Sequence, residues 1–347
     1  MKVEIIRNEH GWRQALQRCP AYDFYHTWDF HAISKNNGEG QPVLFVIGDA
    51  QNGILLPALE RVISNTDWLD LSSVYGYPSP LAYGLSDQSD RILTLWEELL
   101  QFLRVRGYVS MFARGHPMLT PRILREKYYE SIGDIVYVDC SLSEEEQIRK
   151  YRRNHKQNIK KLRKSGVGCV RGQGPVLLQK FQDIYEATMR SLGADDYYLF
   201  SEKYYQSLLL AQDFNTEIWI AELDGQPLSA GLLVYCGDFV EYHLSGTAPD
   251  YYSLAPSKLL IDEARRAATR THKPYLILGG GYKNRADSLL NFKKGFSDQI
   301  AYFYIAKIIL DHERYHMLCD DEETDFFPAY RVSDGQIIQT TDLRCSS

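Results

Sequence analysis

Runs of alternating apolar and polar residues, interrupted by runs with apolar positions three and four apart, predict a chain of mixed strands and helices. The pattern opens with a strand at Val3–Ile6, a helix over about Glu9–Arg18 stopped by Pro20, and a second amphipathic helix at Trp28–Lys35. Two β-rich runs, Pro42–Gly48 and Ile54–Ile63, flank Asp49-Ala50-Gln51-Asn52-Gly53, which is hairpin chemistry. A strand near Leu69–Tyr75 leads to the turn Gly76–Pro80. A helix over Asp90–Arg106 then carries Ile92, Leu95, Trp96, Leu99 and Leu103 on one face. Tyr108–Ala113 reads as a strand, Pro121–Glu130 as a helix and Ile135–Cys140 as a strand. After Val167 the order repeats: strand 167–171, helices over 176–191 and 201–212, and strands 217–223, 228–236 and 239–246. Helix 257–271, strand 275–278, helix 286–294 and strand 299–309 complete it. Each half is strand, helix, helix, three antiparallel strands, helix, strand, helix, strand, so the chain reads as a duplication by element order.

Between the halves lies a segment with an unusually full helix-start signature. Ser143 stands three residues before Glu146, a capping box, with Glu144 and Glu145 also in the first turn. Ile148, Tyr151, His155, Ile159 and Leu162 make an apolar stripe that predicts one helix ending at Gly166, with His155 packed rather than reactive. From Arg149 to Lys164, nine of sixteen residues are Lys or Arg and none is acidic, which leaves −15 on the rest of a chain whose net charge is −6. Such a face is either solvated or meets phosphates, and Arg152, Arg153, Lys156, Lys160 and Lys161 are its candidate contacts. The acidic total argues against a general nucleic-acid coat protein. Six dispersed cysteines without a C-x-x-C pair read as reduced thiols. No apolar run of membrane-spanning length or signal-peptide type occurs, so a soluble, cytoplasmic protein is expected, with at most peripheral contact with a membrane-linked substrate.

The most distinctive stretch is Leu276–Asp298, in which a short strand breaks at Gly279-Gly280-Gly281 and a helix follows, ending at Phe292, Lys293, Lys294, Gly295 and Phe296. Glycines here let backbone turn sharply or come close to a ligand. The string lacks the Gly-Lys-Ser/Thr of a P-loop and has Asn284 where a dinucleotide fingerprint needs glycine. His312-Glu313-Arg314-Tyr315-His316 matches a zinc-binding H-E-x-x-H string, but it follows the last strand without a third ligand in a cleft, and no metal site is expected.

The element order resembles the GNAT acyltransferase fold, and two copies in tandem resemble the Fem family (FemAB-like) of aminoacyltransferases that build peptidoglycan cross-bridges. FYHTWDF (24–30), VYGYPSP (74–80), YRRNHKQNIKKLRKSGV (151–167), EYHLSGTAPD (241–250), LGGGYKNRADSLLNFKKGFSD (278–298) and FFPAYR (326–331) carry the likeness over nearly the whole chain. The resemblance implies an α/β (α+β) protein of two tandem GNAT-like domains, each a mixed, mostly antiparallel sheet flanked by helices. They are expected at 1–145 and 167–347, joined by the basic helix 146–166. It implies an enzyme that moves an aminoacyl group from aminoacyl-tRNA to an amine of a peptidoglycan-precursor or related peptide, or of a nucleotide-linked acceptor, without a cofactor. By position in the F-K-x-x-F string, Lys293 would steady charge at the reacting ester, with Phe292 beside it. Tyr75, Tyr77, Tyr242, His243, Gly280 and Gly281 would contact substrate. Acetyl-CoA-using members of the GNAT fold carry a glycine-rich pyrophosphate loop where this chain has Asp250–Lys258 with no glycine, which disfavours CoA held in that manner. Two alternatives stay open: an acyl-CoA or acyl-carrier-protein dependent N-acyltransferase acting on a polysaccharide or amino acid, and a non-catalytic ligand-binding module.

Overall fold

A computed structural model describes residues 2–193, 199–282, 285–319, 324 and 326–332. In chain order its elements are β1 (Val3–Ile6), α1 (Glu9–Leu16), α2 (Trp28–Asn36), β2 (Gln41–Gly48), β3 (Gly53–Val62), β4 (Leu69–Ser72), β5 (Leu81–Tyr83), α3 (Asp90–Val105), β6 (Tyr108–Gly115), α4 (Arg122–Tyr128) and β7 (Glu130–Asp139). There follow α5 (Glu144–Lys150), α6 (Arg153–Lys164), β8 (Gly168–Gly172), α7 (Pro175–Ser191), α8 (Glu202–Leu210), β9 (Asn215–Leu223), β10 (Gln226–Cys236), β11 (Phe239–Thr247), α9 (Ser257–Arg270), β12 (Tyr275–Gly279), α10 (Ser288–Lys293), β13 (Ile300–Ile309) and α11 (His312–Leu318). The mixed α/β class and the repeated element order of the sequence pattern are both present. β5, a three-residue strand on the edge of β3, had no pattern long enough to announce it.

The chain forms two compact units, Met1–Gly133 with Tyr302–Ser347, and Asp134–Ala301. This division differs from the expected boundaries at 145 and 166: the basic segment lies inside the second unit, and the end of the chain groups with the first. Backbone pairing is the reason. The first unit orders its strands β1-β2-β3-β4-β6-β13, and the second β8-β9-β10-β11-β12-β7. Each sheet therefore has the same plan, in which the fourth and fifth strands are parallel and all other pairs described here are antiparallel. The sixth strand of each comes from the other half of the sequence: β13 runs Tyr304↔Gly115 to Ile309↔Ser110 along β6, and β7 runs Asp139↔Tyr275 to Val136↔Gly279 along β12. Tyr330 and Arg331 then fasten the chain end to the buried Asp70 carboxylate of the first unit, the Tyr330 hydroxyl donating at 2.9 Å and Arg331 Nε at 2.7 Å.

Alternation fills the cores. In the first unit Val43, Phe45 and Ile47 point to one face of the sheet with the α3 stripe, while Leu44 and Val46 point to the other with Trp12, Ala15 and Leu16 of α1. Each fully buried Leu, Ile or Phe stabilises by about 1.5–3 kcal/mol, enough to fix register, since a one-residue slip would expose a whole face. In the second unit α9 and the inner stripe of α6 pack with Val240, Leu276 and Leu278.

The expected single helix from Ser143 to Gly166 is two helices. The capping box at Ser143 and Glu146 forms as the sequence predicts, but α5 stops at Lys150 and α6 restarts at Arg153. Tyr151 takes an extended ψ of 137°. Its buried hydroxyl donates to Asp262 Oδ1 at 3.1 Å, and Arg152 N donates to the Gly295 carbonyl at 2.9 Å. Tertiary hydrogen bonds override the helical pattern at these two residues.

Candidate active site

The site begins with a fork between two parallel strands of the second unit. β11 and β12 pair only from Phe239↔Tyr275 to Glu241↔Ile277, yet β11 continues to Thr247 against β10. At the same place β11 has a bulge: Tyr242 pairs with Leu233 and Leu244 with Leu232, so His243 is the extra residue. A bulge bends a strand and re-aims its side chains. Fork and bulge together part β11 from β12 beyond Glu241. On the β12 side the chain leaves its strand at Gly279, whose φ of +81° is open to glycine without strain.

Lys293, the last residue of α10, closes this end. Its Nζ donates to the Gly280 carbonyl at 2.6 Å. Burial pushes the ammonium down to about 8, while the charges of Asp287 and Glu241 pull it back up. Asp287 caps α10 and joins it to the glycine turn: Oδ1 accepts from Leu290 N and Oδ2 from Tyr282 N, each at 2.8 Å. A side chain on Gly281 would meet the Arg285 carbonyl at 2.0 Å and Asp287 Oδ1 at 2.6 Å, so this turn needs glycine for space. Glu241, at the branch point of the fork, is 2% exposed. A cation of near-neutral pKa beside the parted strands can meet an oxyanion and can return a proton to a leaving group.

Residues 149–294 match the family described as the Acetyltransferase (GNAT) domain. They form a GNAT acyltransferase domain. The fold of the chain is similar to that of FemX, with a TM-score of 0.69 at 12% identity over 92% of this chain and 100% of that one. It is similar also to L-PGS from Bacillus licheniformis (TM-score 0.56, 10% identity, 88% of this chain and 93% of that one). A third likeness is to the C-terminal domain of a putative lysylphosphatidylglycerol synthetase from Agrobacterium fabrum (TM-score 0.51, 10% identity, 74% and 84%). At these identities the likeness is one of fold. No curated protein sequence matches the chain.

The GNAT domain holds most of the residues singled out by sequence. Gly280 supplies the carbonyl that receives Lys293, and Gly281 the space for Asp287. His243, on the bulge, lies 3.1 Å from the Tyr204 hydroxyl of α8, and burial pushes its imidazole down to about 3, so it is neutral at physiological pH. Tyr242 packs against the domain core, and its phenol is pushed up to about 12 by burial. Phe292 packs against the same core, with His155 at 5.5 Å and Phe296 at 5.5 Å, and its carbonyl faces His155 Nε2 at 3.1 Å. Its ring has no proton to move, and these contacts describe packing at the helix end. Tyr75 and Tyr77 belong to the first unit. Tyr75 lies under the Arg114 guanidinium at 5.8 Å, and Tyr77 packs edge-on against Tyr25 at 5.5 Å and Phe303 at 5.2 Å.

Of the basic residues, Arg152 is a tether, donating to the Asn291 carbonyl at 3.0 Å and to its side-chain oxygen at 2.8 Å. Arg153, Lys156, Lys160 and Lys161 are exposed along α6, and Lys156 donates to the Arg149 carbonyl at 3.2 Å. Arg163 turns inward to Asp262 and Glu263. His155 is buried, as its place on the stripe predicts. His312 and His316 are exposed on α11, 6.5 Å apart between ring centres, and no third ligand completes a cluster with them among the described residues. Asp195, Asp196 and Asn284 lie outside the described residues. Cys140 and Cys169 are pushed up by burial to about 11 and about 12, which removes them as thiolate nucleophiles at neutral pH.

Glu241, Asp287 and Tyr204 join the site without a motif to mark them. Glu241 carried a signal, a lone acid inside the apolar run Phe239-Val240, because a buried carboxylate in a central strand needs a compensating partner. In the sequence Asp287 reads as an acid in the first turn of the helix and not as a link to the glycine turn.

Proposed function

We propose that the protein transfers an aminoacyl group from aminoacyl-tRNA to an amine of a peptidoglycan-precursor or related peptide. The observation that carries the reading is Lys293, held 2.6 Å from the Gly280 carbonyl at the open fork of a GNAT domain. In this reaction the acceptor nitrogen attacks the ester carbonyl carbon, and an oxyanion forms. The carbon–oxygen bond to the ribose then breaks, the nitrogen loses a proton, and the leaving hydroxyl gains one. Lys293 as a cation stabilises the oxyanion and, at a pKa of about 8, can protonate the leaving oxygen.

Two features favour tRNA over an acyl-CoA as donor. The stretch Asp250–Lys258, leading into α9, has no glycine to let a pyrophosphate come close to the backbone. The exposed cations of α6 form a stripe to which phosphates would be attracted. The resemblance to the Fem family supports the peptide acceptor and a cytoplasmic site of action. The test is a donor screen with the full-length protein: transfer of labelled amino acid from charged tRNA is expected, and turnover with labelled acyl-CoA alone would replace this reading with a CoA-dependent one.

A further inference from the structure

Lys293 faces a problem of charge. An ammonium taken out of water loses hydration and tends to shed its proton. The Gly280 carbonyl offers a dipole and no countercharge. α6, which packs on the same helix end through His155 and Phe292, contains no acid from Arg153 to Lys164. His155 itself is pushed down to about 4 by burial and is neutral. Lys294 is taken by Asp134 at 2.8 Å. Among the described residues, the carboxylates acting on Lys293 are Asp287 and, more weakly, Glu241.

Asp287 is placed to do more than neutralise. One carboxylate oxygen holds the first turn of the helix that ends in Lys293, and the other holds the turn containing Gly280, through Tyr282 N. Both partners of the Lys293–Gly280 bond are thus tied to one side chain. The side chain occupies the room left by the missing Cβ of Gly281.

We propose that Asp287 is a positioning residue for Lys293: its carboxylate clamps the glycine turn to α10 and keeps the lysine charged at the fork, with Glu241 as a second, lesser countercharge. This rests on the reading of Lys293 as the group that meets the reacting ester. In that reading Asp287 never touches substrate; it fixes where the ammonium sits and the pH range over which the ammonium exists.

The test is competitive trace acetylation of the full-length protein with acetic anhydride between pH 6 and about 10. Acetyl-Lys293 is measured by peptide mass spectrometry, with exposed Lys35 as internal reference. In the wild type, labelling of Lys293 should rise with a midpoint of about 8. Asp287→Asn, which keeps a cap, should lower that midpoint by about one pH unit. Glu241→Gln should lower it by less, and Lys35 should not move. Asp287→Ser is the second variant, since serine also caps a helix and removes both the charge and the link to Tyr282. A Lys293 midpoint unchanged in whichever of the two Asp287 variants folds overturns the proposal. With an active donor in hand, Asp287→Asn should also lower kcat and move the alkaline fall of the rate profile to lower pH, while KM changes little. Labelling needs no acyl donor, so failure to transfer an amino acid would overturn the proposed reaction and leave this test standing.

Discussion

The two units share one strand plan and differ at the fork between their parallel strands. In the first unit β4 and β6 part after Ser72↔Phe112, and polar groups bridge the gap at once. Ser73 N donates to the Phe112 carbonyl at 3.0 Å, Ser73 Oγ accepts from Arg114 N at 3.0 Å, and the Arg114 guanidinium reaches the Val74 carbonyl at 3.3 Å. Arg114 is 8% exposed, with its guanidinium 5.2 Å from the Phe112 ring. In the second unit the corresponding fork has a bulge on one strand and a glycine turn on the other, with a lysine of near-neutral pKa at its end. The shared strand plan thus has one fork bridged by hydrogen bonds and one with a lysine held at its end, the residue proposed to act on the ester. The same architecture can be spent either way, and the local residues decide which.

The contrast breaks most severely at Asp70. This fully buried carboxylate accepts from Arg61 Nε at 2.8 Å as well as from Tyr330 and Arg331, joining the edge of β4 to the end of the chain. Removing one partner of a buried charge network leaves the others uncompensated, at a cost of about 3–5 kcal/mol. Asp70→Ala should lower the denaturant midpoint accordingly, and a change worth less than about 1 kcal/mol would deny the first unit its structural role.

The next effect is on rate. Lys293→Ala should reduce turnover by about two orders of magnitude, a loss of about 3 kcal/mol of transition-state stabilisation, with the melting temperature little changed. Arg114→Met should do the reverse, destabilising the fold by about 2 kcal/mol while leaving kcat within about threefold. A Lys293→Ala enzyme that retains more than a third of its turnover would remove the lysine from the mechanism and the contrast with it. The proposed role requires Lys293 as a cation, so wild-type turnover should also decline as pH rises through about 8.

The strand and helix order, the capping box, the apolar stripes and the glycine turn were legible in the sequence because each depends on local periodicity or on backbone conformation. The exchange of β7 and β13 between the two sheets was not, since both read as ordinary terminal strands and pairing partners leave no local mark. The break at Tyr151 was hidden for the same reason: its cause, the hydroxyl bond to Asp262, lies 111 positions away in the chain. At the site, Lys293 and the glycines stood out through their motif, whereas Asp287 looked like any acid in a first helical turn. Tyr75 and Tyr77 stood out as aromatic residues at and beside a turn; Tyr77 packs edge-on against Tyr25 and Phe303, and Tyr75 lies under the Arg114 guanidinium.

One feature common to both units gives an effect that is smaller for each group taken singly. His26 and His31 in the first, and His155 and His243 in the second, are pushed below their ordinary range chiefly by burial, His31 and His155 to about 4 and His243 to about 3. Their unfolded forms take up protons near pH 6.5 while the folded forms stay neutral. Stability should therefore be full above that pH and fall as pH drops below it, by up to about 1.4 kcal/mol per pH unit for each histidine until its folded pKa is reached. Melting curves at pH 7 and about pH 5 check this, and the variant His243→Gln should flatten the slope by one group's share.

The smallest effect concerns the charge that the second unit carries along α6. Arg153, Lys156 and Lys160 recur at spacings of three and four, and Lys164 extends the line, so they share one face of the helix, while Arg163 is spent on Asp262 and Glu263. If that face tracks tRNA phosphates, binding releases counterions and affinity falls steeply with salt. Lys160→Gln should then weaken tRNA binding by roughly the same factor for every tRNA tested and lower the slope of log K against log salt by about one. Arg163→Gln, on the inward side, should change stability and leave that slope alone. Equal slopes for wild type and Lys160→Gln would make the stripe a solvated surface and return the question of donor to the fork itself.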